Sequence, residues 1–239
     1  AVVSTPPRRP RLATLQPLTT RHPEVGLFLH ASWFIDDHGR RVGRWSCPLP
    51  HHGHPIGPEV FLPRLMVQNF IAIPAPLIKR ETALATGPLR EELWFTADWD
   101  YWSRLAQIAP VLHLPRNLAA FRIHPASQTA LGAAAPDDLR RQIEAVVESI
   151  HDRLDKTDAG TRRAKRVADF STTVTVALAA TAHRRRHGML GPLLRQGLTL
   201  GPAGWSRFMR DSRIAERVGA RLRAGMLGHL RNRSKNCIY

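Results

Sequence analysis

Two acidic and three aromatic residues stand together near the middle of the chain, in the segment Asp98-Trp99-Asp100-Tyr101-Trp102. Apolar residues recur here every three or four positions, which predicts a helix with both acids near its N-terminus, where the helix dipole favours negative charge. A carboxylate in this position is a candidate general base that takes the proton of an attacking hydroxyl. Trp99 and Trp102 are candidates for stacking on the flat face of a ligand. The competing interpretation of Asp98 is structural, because aspartate is also a favoured N-cap residue.

Several short elements must position this segment. The apolar run over 25–35 predicts a long strand, which ends in a turn over 36–40. Residues 46–63 contain many prolines, glycines and histidines without periodicity and predict a surface loop. The remaining predictions are a helix over 12–18, strands over 68–74, 111–114 and 119–123, and helices over 98–106, 137–155, 159–186 and 205–223.

A cysteine and three histidines lie in the predicted loop, at Cys47, His51, His52 and His54. These residue types suit zinc, but adjacent histidines do not have the paired ligand spacing of structural zinc modules. A variable surface loop is therefore the favoured interpretation.

The composition fits a globular protein whose positive charge is concentrated in its C-terminal third. With 43% hydrophobic and 23% charged residues among 239, wholesale disorder is excluded. Of the net charge of +16, residues 161–239 contribute +14, from seventeen basic and three acidic residues, and residues 1–160 contribute +2. Two distant cysteines provide no disulfide framework, which favours a cytoplasmic location. No stretch approaches the roughly 20 apolar residues that span a bilayer.

The basic C-terminal region contains an amphipathic segment. Apolar residues such as Trp205 and Phe208 alternate with basic residues such as Arg207 and Arg210 through residues 205–223. This pattern predicts either a helix that lies in a membrane interface or one that packs on its own domain. Nucleic-acid binding is not favoured, because no recognition module surrounds the basic residues.

Three segments, taken in order, carry a family resemblance. They are RLATLQPLTTRHPEVGLFLHASWFIDDHGR, QNFIAIPAPLIKRETALATGPLREEL and ADWDYWSRLAQIAPVLHLPRNLAAFRIHPASQT. The last is similar to a Glu-Asp-Trp-Asp-x-Trp-x-Arg-Leu helix followed by Tyr-Arg-x-His-x-x-Ser. Together, residues 10–129 resemble the second half of the catalytic domain of family 2 glycosyltransferases, which have the GT-A fold. The resemblance implies an α/β fold: a partial GT-A (Rossmann-like) mixed sheet over 1–135, followed by a basic α-helical extension over 136–239.

The resemblance also implies roles for individual residues. Asp98 matches the second acid of the family's Glu-Asp pair and is expected to be the catalytic base. His124 matches a late histidine that can join the coordination of a divalent Mg or Mn ion. Expected substrate contacts are Trp99, Asp100, Trp102, Glu91, Arg122 and Ser127. For Asp100 a structural role is the equal alternative. The chain departs from the family pattern at Ala97, where the family has glutamate, and in Gly87-Pro88-Leu89-Arg90-Glu91, where it has Gly-x-Phe-Asp-Glu.

The implied activity is transfer of a sugar from a nucleotide-sugar donor to a glycan or lipid-linked acceptor of the bacterial cell envelope, or to a polysaccharide. The first acidic residue is Glu24, so the Asp-x-Asp motif that holds metal and diphosphate in the family does not precede the first helix. We therefore expect a truncated or decayed transferase that is weakly active or inactive alone, and whose strand over 25–35 lacks neighbouring strands. The alternative is a non-catalytic remnant or a partner-dependent binding module with a basic membrane-surface tail. The expected location is cytoplasmic, with peripheral contact on the inner face of the membrane through residues 205–223.

Overall fold

A computed structural model describes residues 8–50, 53–123, 135–182 and 190–235. They form an α/β fold with a helical C-terminal region, as the sequence predicts. The described helices are α1 (Arg8–Arg21), α2 (Pro58–Val67), α3 (Arg80–Thr86), α4 (Ala97–Ile108), α5 (Pro136–His151), α6 (Ala159–Ala182), α7 (Leu190–Thr199), α8 (Gly201–Ser212) and α9 (Ile214–Lys235). The described strands are β1 (Leu27–Ile35), β2 (Arg41–Trp45), β3 (Leu77–Ile78) and β4 (Val111–Arg122).

Strand β1 is the centre of a mixed sheet. It pairs antiparallel with β2 at its C-terminal end and with β3 at its N-terminal end, on one side. On the other side β4 runs parallel to β1 from Leu27 to Ile35. Eight of the nine residues of β1 are buried. The expectation that this strand lacks neighbours is therefore wrong, because β2, β3 and β4 flank it within the chain.

Side chains of β1 alternate between two apolar layers, as the period of a strand requires. Leu27 and Leu29 join the largest hydrophobic cluster, which they share with α2, α4, α5 and α6. On the opposite face Phe28 packs with Leu18 of α1, and Phe34 packs with Ala220 of α9. Helices from both ends of the chain thus cover one face of the sheet.

Three local predictions are wrong. Helix α2 begins at Pro58, within the predicted loop 46–63, because Pro58 is compatible with a first helical turn and Phe61, Leu62, Leu65 and Met66 form a buried helical stripe. Residues 68–74 contain no strand: the Asn69 side chain accepts a hydrogen bond from the N–H of Ile71 at 3.1 Å, and the chain turns. The two strands predicted around Pro115 are one strand, β4, with a shift in register at that point.

The helical C-terminal region shares its core with the sheet. Leu139, Ile143 and Val146 of α5 and Ala164 of α6 are fully buried or nearly so in the same cluster as Leu27 and Leu29. The helix predicted over 205–223 is divided between α8 and α9 at Arg213, whose φ of 51° interrupts the right-handed helix. The region 136–239 is therefore helical where it is described, and α5 and α6 pack directly on the α/β part.

Candidate active site

The carboxylate of Asp98 lies in the first turn of α4 and is held by two donors. Its Oδ1 accepts a hydrogen bond from the backbone N–H of Trp99 at 2.7 Å. Its Oδ2 accepts one from the Asn69 side-chain amide at 3.1 Å, from the turn that follows α2. Thr96, and not Asp98, occupies the N-cap position of the helix. The backbone N–H of Trp99 and the amide of Asn69 thus fix the orientation of the Asp98 carboxylate.

Burial raises the pKa of Asp98 to about 6, although the hydrogen bonds from Trp99 and Asn69 act in the opposite direction. At pH 7 such a carboxylate is about 90% ionised, yet its affinity for a proton is close to the working pH. A general base is most effective under these conditions, because it is deprotonated before the reaction and basic enough to accept a proton during it.

Asp98 lines an open cavity of about 250 Å³. The other lining residues are Ile73, Gly87, Pro88, Leu89, Tyr101 and Trp102. Asp98 is the only charged residue among them. Trp102 is 6% exposed, and its indole N–H finds no acceptor among the described residues. The cavity therefore combines an oriented carboxylate with aromatic and aliphatic walls.

The two tryptophans of the predicted pair have different locations. Trp102 lines the cavity, as its predicted contact with substrate requires. Trp99 is 3% exposed, belongs to the hydrophobic core and donates its indole N–H to the carbonyl of Leu65 in α2 at 2.9 Å. The structure thus places Trp99 away from the cavity, because α4 turns that side chain toward α2.

Asp100 is completely buried and lies among three arginines, outside the cavity lining. Arg104 donates its Nε–H to Asp100 at 2.8 Å, and the guanidinium of Arg90 lies 3.8 Å from the same carboxylate. Arg153 donates to Ser103, the neighbour of Asp100 on α4, at 2.8 Å. A buried carboxylate of this kind needs compensating cations. The burial and the ion pairs correspond to the structural one of the two roles predicted for Asp100.

Arg104 links Asp100 to the wall of the cavity. Its two terminal nitrogens donate to the carbonyls of Thr86 and Pro88, at 2.7 and 2.8 Å. These residues flank Gly87, whose φ of 78° makes the turn after α3. The predicted site did not include Arg104. The signal in the sequence is the spacing of four residues from Asp100, which places the two side chains on one helical face.

The remaining predicted site residues are not gathered at the cavity. Glu91 is exposed on the loop before α4. Arg122, at the end of β4, donates to the carbonyls of Asp36 and Asp37 at 2.7 Å each and so holds the turn after β1. His124 and Ser127, with the predicted metal and substrate roles, lie outside the described residues.

The described residues do not form a metal site. No three His, Cys, Asp or Glu side chains in the described part of the chain come close enough to hold an ion together. The polar partner of Asp98 is an amide, Asn69. The predicted ligand His124 lies outside the described residues, so the Mg or Mn ion that the resemblance implies stays a prediction.

The basic segment 205–223 is part of the packed structure. Phe208 is 4% exposed and packs on Phe170 of α6, and Ala220 is fully buried against β2. Trp205 and Met209 are 42% and 49% exposed. Within the described ranges, no helix has the length and apolar character needed to cross a membrane.

The chain matches no protein-family model and no curated protein.

Proposed function

We propose that the chain is the acceptor-side part of a glycosyltransferase of the family 2 type, with Asp98 as the general base. It would transfer a sugar from a nucleotide-sugar donor to a cell-envelope or polysaccharide acceptor. The observation that carries the proposal is the position of Asp98: an oriented carboxylate with a pKa of about 6, in the lining of a cavity with aromatic walls.

In the proposed reaction, the acceptor hydroxyl donates its proton to the Asp98 carboxylate as its oxygen attacks the anomeric carbon of the donor. The new bond joins that oxygen to the anomeric carbon. The bond between the anomeric carbon and the phosphate oxygen breaks, and the electron pair leaves with the nucleoside diphosphate. Attack opposite the leaving group inverts the anomeric configuration.

The residues around Asp98 supply orientation in this scheme. The hydrogen bonds from Asn69 and Trp99 hold the carboxylate, and each carboxylate oxygen keeps a second lone pair for the incoming hydroxyl. Tyr101 and Trp102 offer flat surfaces for the apolar face of a sugar ring. Arg104 holds the loop with Pro88 and Leu89 that forms the opposite wall.

The test is a transfer assay in a full-length context that supplies the nucleotide-binding half, with UDP-, GDP- and dTDP-sugars and an envelope glycan fraction. Asp98→Asn is expected to lower transfer by about 100-fold or more, because general-base catalysis contributes at least that factor. The matched control is Asp37→Asn, which changes an exposed carboxylate in the turn after β1 and should leave transfer unchanged. Unchanged transfer by the Asp98→Asn chain would show that the base assignment is wrong.

The alternative is a non-catalytic remnant or a partner-dependent binding module with a basic membrane-surface tail. The single carboxylate in the cavity lining supports it. Calorimetric titration with UDP or GDP in the presence of Mn²⁺ separates the two functions. Donor binding supports the transferase, whereas binding of saccharides without nucleotide binding supports the module.

A cytoplasmic location at the inner face of the membrane belongs to the same proposal. The two distant cysteines favour a reducing compartment, and the basic C-terminal helices favour contact with an anionic surface.

A further inference from the structure

One arginine of helix α9 has a buried guanidinium nitrogen without a partner. Nη1 of Arg217 is buried and has no hydrogen-bond partner within the described part of the chain. Arg213, one turn earlier on α9, forms an ion pair with Glu216. Glu216 also accepts the backbone N–H of Ser46 at 3.0 Å. The acidic residue next to Arg217 in the chain is therefore engaged by other donors.

The Arg217 side chain stays charged in this position. Burial, and next the charge of Arg221, lower the pKa of Arg217 to about 9. At pH 7 a group with this pKa is about 99% protonated. All 19 acidic residues of the chain lie in the described ranges, and none of them forms an ion pair with Arg217. Because a buried cation is costly unless it is paired, the missing counter-charge is a property that needs an explanation.

The turn of α9 that contains Arg217 lies over the second half of strand β2. One contact between the two elements is the hydrogen bond from Ser46 to Glu216. The other is a close approach of the backbones, since a Cβ atom added to Gly43 would lie 3.0 Å from the Cβ of Ala220. Arg217 lies between Glu216 and Ala220 on the helix, so its turn covers the part of β2 between the two contacts.

This part of the sheet has two more buried groups that can donate a hydrogen bond. The indole N–H of Trp45 and the hydroxyl of Ser32 are buried and have no partner among the described residues. Trp45 and Ser32 are opposite each other in the register of β2 and β1, so both side chains lie on the same face of the sheet. It is the face that α9 covers, because Trp45 stacks on Phe34, which packs with Ala220.

We propose that Arg217, Trp45 and Ser32 form a binding site for a phosphate group. A phosphate supplies the missing negative charge, and its oxygens accept hydrogen bonds from a guanidinium, an indole N–H and a hydroxyl at the same time. Arg221 adds a second positive charge, since its Nη1 lies 3.5 Å from the carbonyl oxygen of Arg217. A phosphate in solution can reach the site, because Arg217 and Trp45 are only half-buried as residues and Arg221 is exposed.

The phosphate site is separate from the Asp98 cavity. Leu27 and Leu29 of β1 pack in the cluster that includes α4, whereas Ser32 and Phe34 lie on the opposite face of the same strand. Binding of phosphate here therefore does not depend on sugar transfer, and the two can be tested independently.

The experiment is calorimetric titration of the full chain with inorganic phosphate at pH 7, at constant ionic strength maintained with chloride. We expect saturable binding of one phosphate per chain. Arg217→Met should lower the affinity for phosphate about tenfold or more, because the charge and its charge-assisted hydrogen bonds are lost. Ser32→Ala removes only a hydroxyl and should also weaken binding, by about tenfold.

The matched control is Arg163→Met, which changes an exposed arginine of α6 and should bind phosphate like the unchanged chain. Thermal melts without phosphate give a second readout. Arg217→Met should then melt at the temperature of the unchanged chain or above it, because the variant removes a buried charge that lacks a counter-charge. A lower melting temperature for this variant overturns the proposal. So does the lack of saturable phosphate binding, or binding that Arg217→Met or Ser32→Ala leaves unchanged.

Discussion

We expect the titration of Asp98 to make the free energy of unfolding depend on pH, and the substitution Asp98→Asn to remove this dependence. Its pKa in the folded chain is about 6, above the ordinary value of about 3.9 for aspartate. The folded state therefore binds the Asp98 proton more tightly than the unfolded state. The resulting contribution to stability is fully present below about pH 4 and is lost as pH rises through about 6. Asp98→Asn cannot titrate and lacks this dependence.

The difference in pKa corresponds to about 3 kcal/mol at 1.36 kcal/mol per pH unit. Asp98 is partly exposed at the open cavity, and solvent screening reduces this to about 2 kcal/mol. The asparagine also loses the hydrogen bond from Asn69, because an amide N–H₂ then faces another amide N–H₂, at a cost of about 1 kcal/mol. The variant should be about 1 kcal/mol less stable than the unchanged chain near pH 4 and about 1 kcal/mol more stable near pH 7.5.

The measurement is chemical unfolding by urea, followed by tryptophan fluorescence, at several pH values between about 4 and 7.5. The lost hydrogen bond changes the free energy of unfolding of the variant by the same amount at every pH. The difference in free energy of unfolding between the two chains should therefore change with pH by about 2 kcal/mol, and this change reports the titration of Asp98 alone. The control Asp37→Asn removes one carboxylate from an exposed turn and reports the general effect of charge. A difference between unchanged chain and Asp98→Asn that stays constant across this range would refute the reasoning.

Two further substitutions test how the surroundings of the cavity are held. Arg104→Lys keeps the charge beside Asp100, but a lysine cannot donate to two loop carbonyls at once. This variant should lower the free energy of unfolding by about 1–3 kcal/mol and speed amide hydrogen exchange in the loop after α3. Exchange rates equal to those of the unchanged chain would contradict this. Gly26→Ala would place a Cβ atom 2.6 Å from the Cβ of Ala109 and 2.7 Å from Oγ1 of Thr82, so it should destabilise by about 2 kcal/mol or more. The matched substitution Gly191→Ala meets no atom within 4 Å, and the same urea titration should show no loss of stability.

The strand and helix that form the frame of the site were predictable because their patterns are long. Residues 25–35 are almost uninterrupted apolar residues, and α4 has both the helical spacing and acids in its first turn. Helix α2 does not follow from the local pattern, because Pro58 ends a stretch of prolines and glycines that is typical of a loop. Pro58 occupies the first turn, where its missing N–H is tolerated, and Pro63 lies inside a helix that tertiary packing nevertheless supports. Patterns in the local sequence do not show this tertiary packing.

The partners of Asp98 could not be predicted from local sequence. Asn69 lies 29 residues before Asp98 in the chain, in a segment predicted as a strand, and only the turn after α2 brings its amide to the carboxylate. In the same way, Trp99 and Trp102 are three residues apart on one helix, and each is large, aromatic and buried. What separates the core residue from the cavity residue is the carbonyl of Leu65, which accepts the Trp99 N–H. That distinction depends on how α2 and α4 pack, which no pattern within α4 contains.

The charges behind the cavity explain how an arginine is accommodated at position 90. An acidic residue at position 90 would add a second negative charge near the buried carboxylate of Asp100, since the Arg90 guanidinium lies 3.8 Å from it. Arginine at this position instead adds a cation to the group that compensates Asp100. Leu89, in place of an aromatic residue, is 52% exposed and lines the cavity with Ile73, which is 55% exposed. Arg90 is not among the lining residues, and Asp98 is the only charged residue among those that are. Leu89 and Ile73 make part of the lining aliphatic.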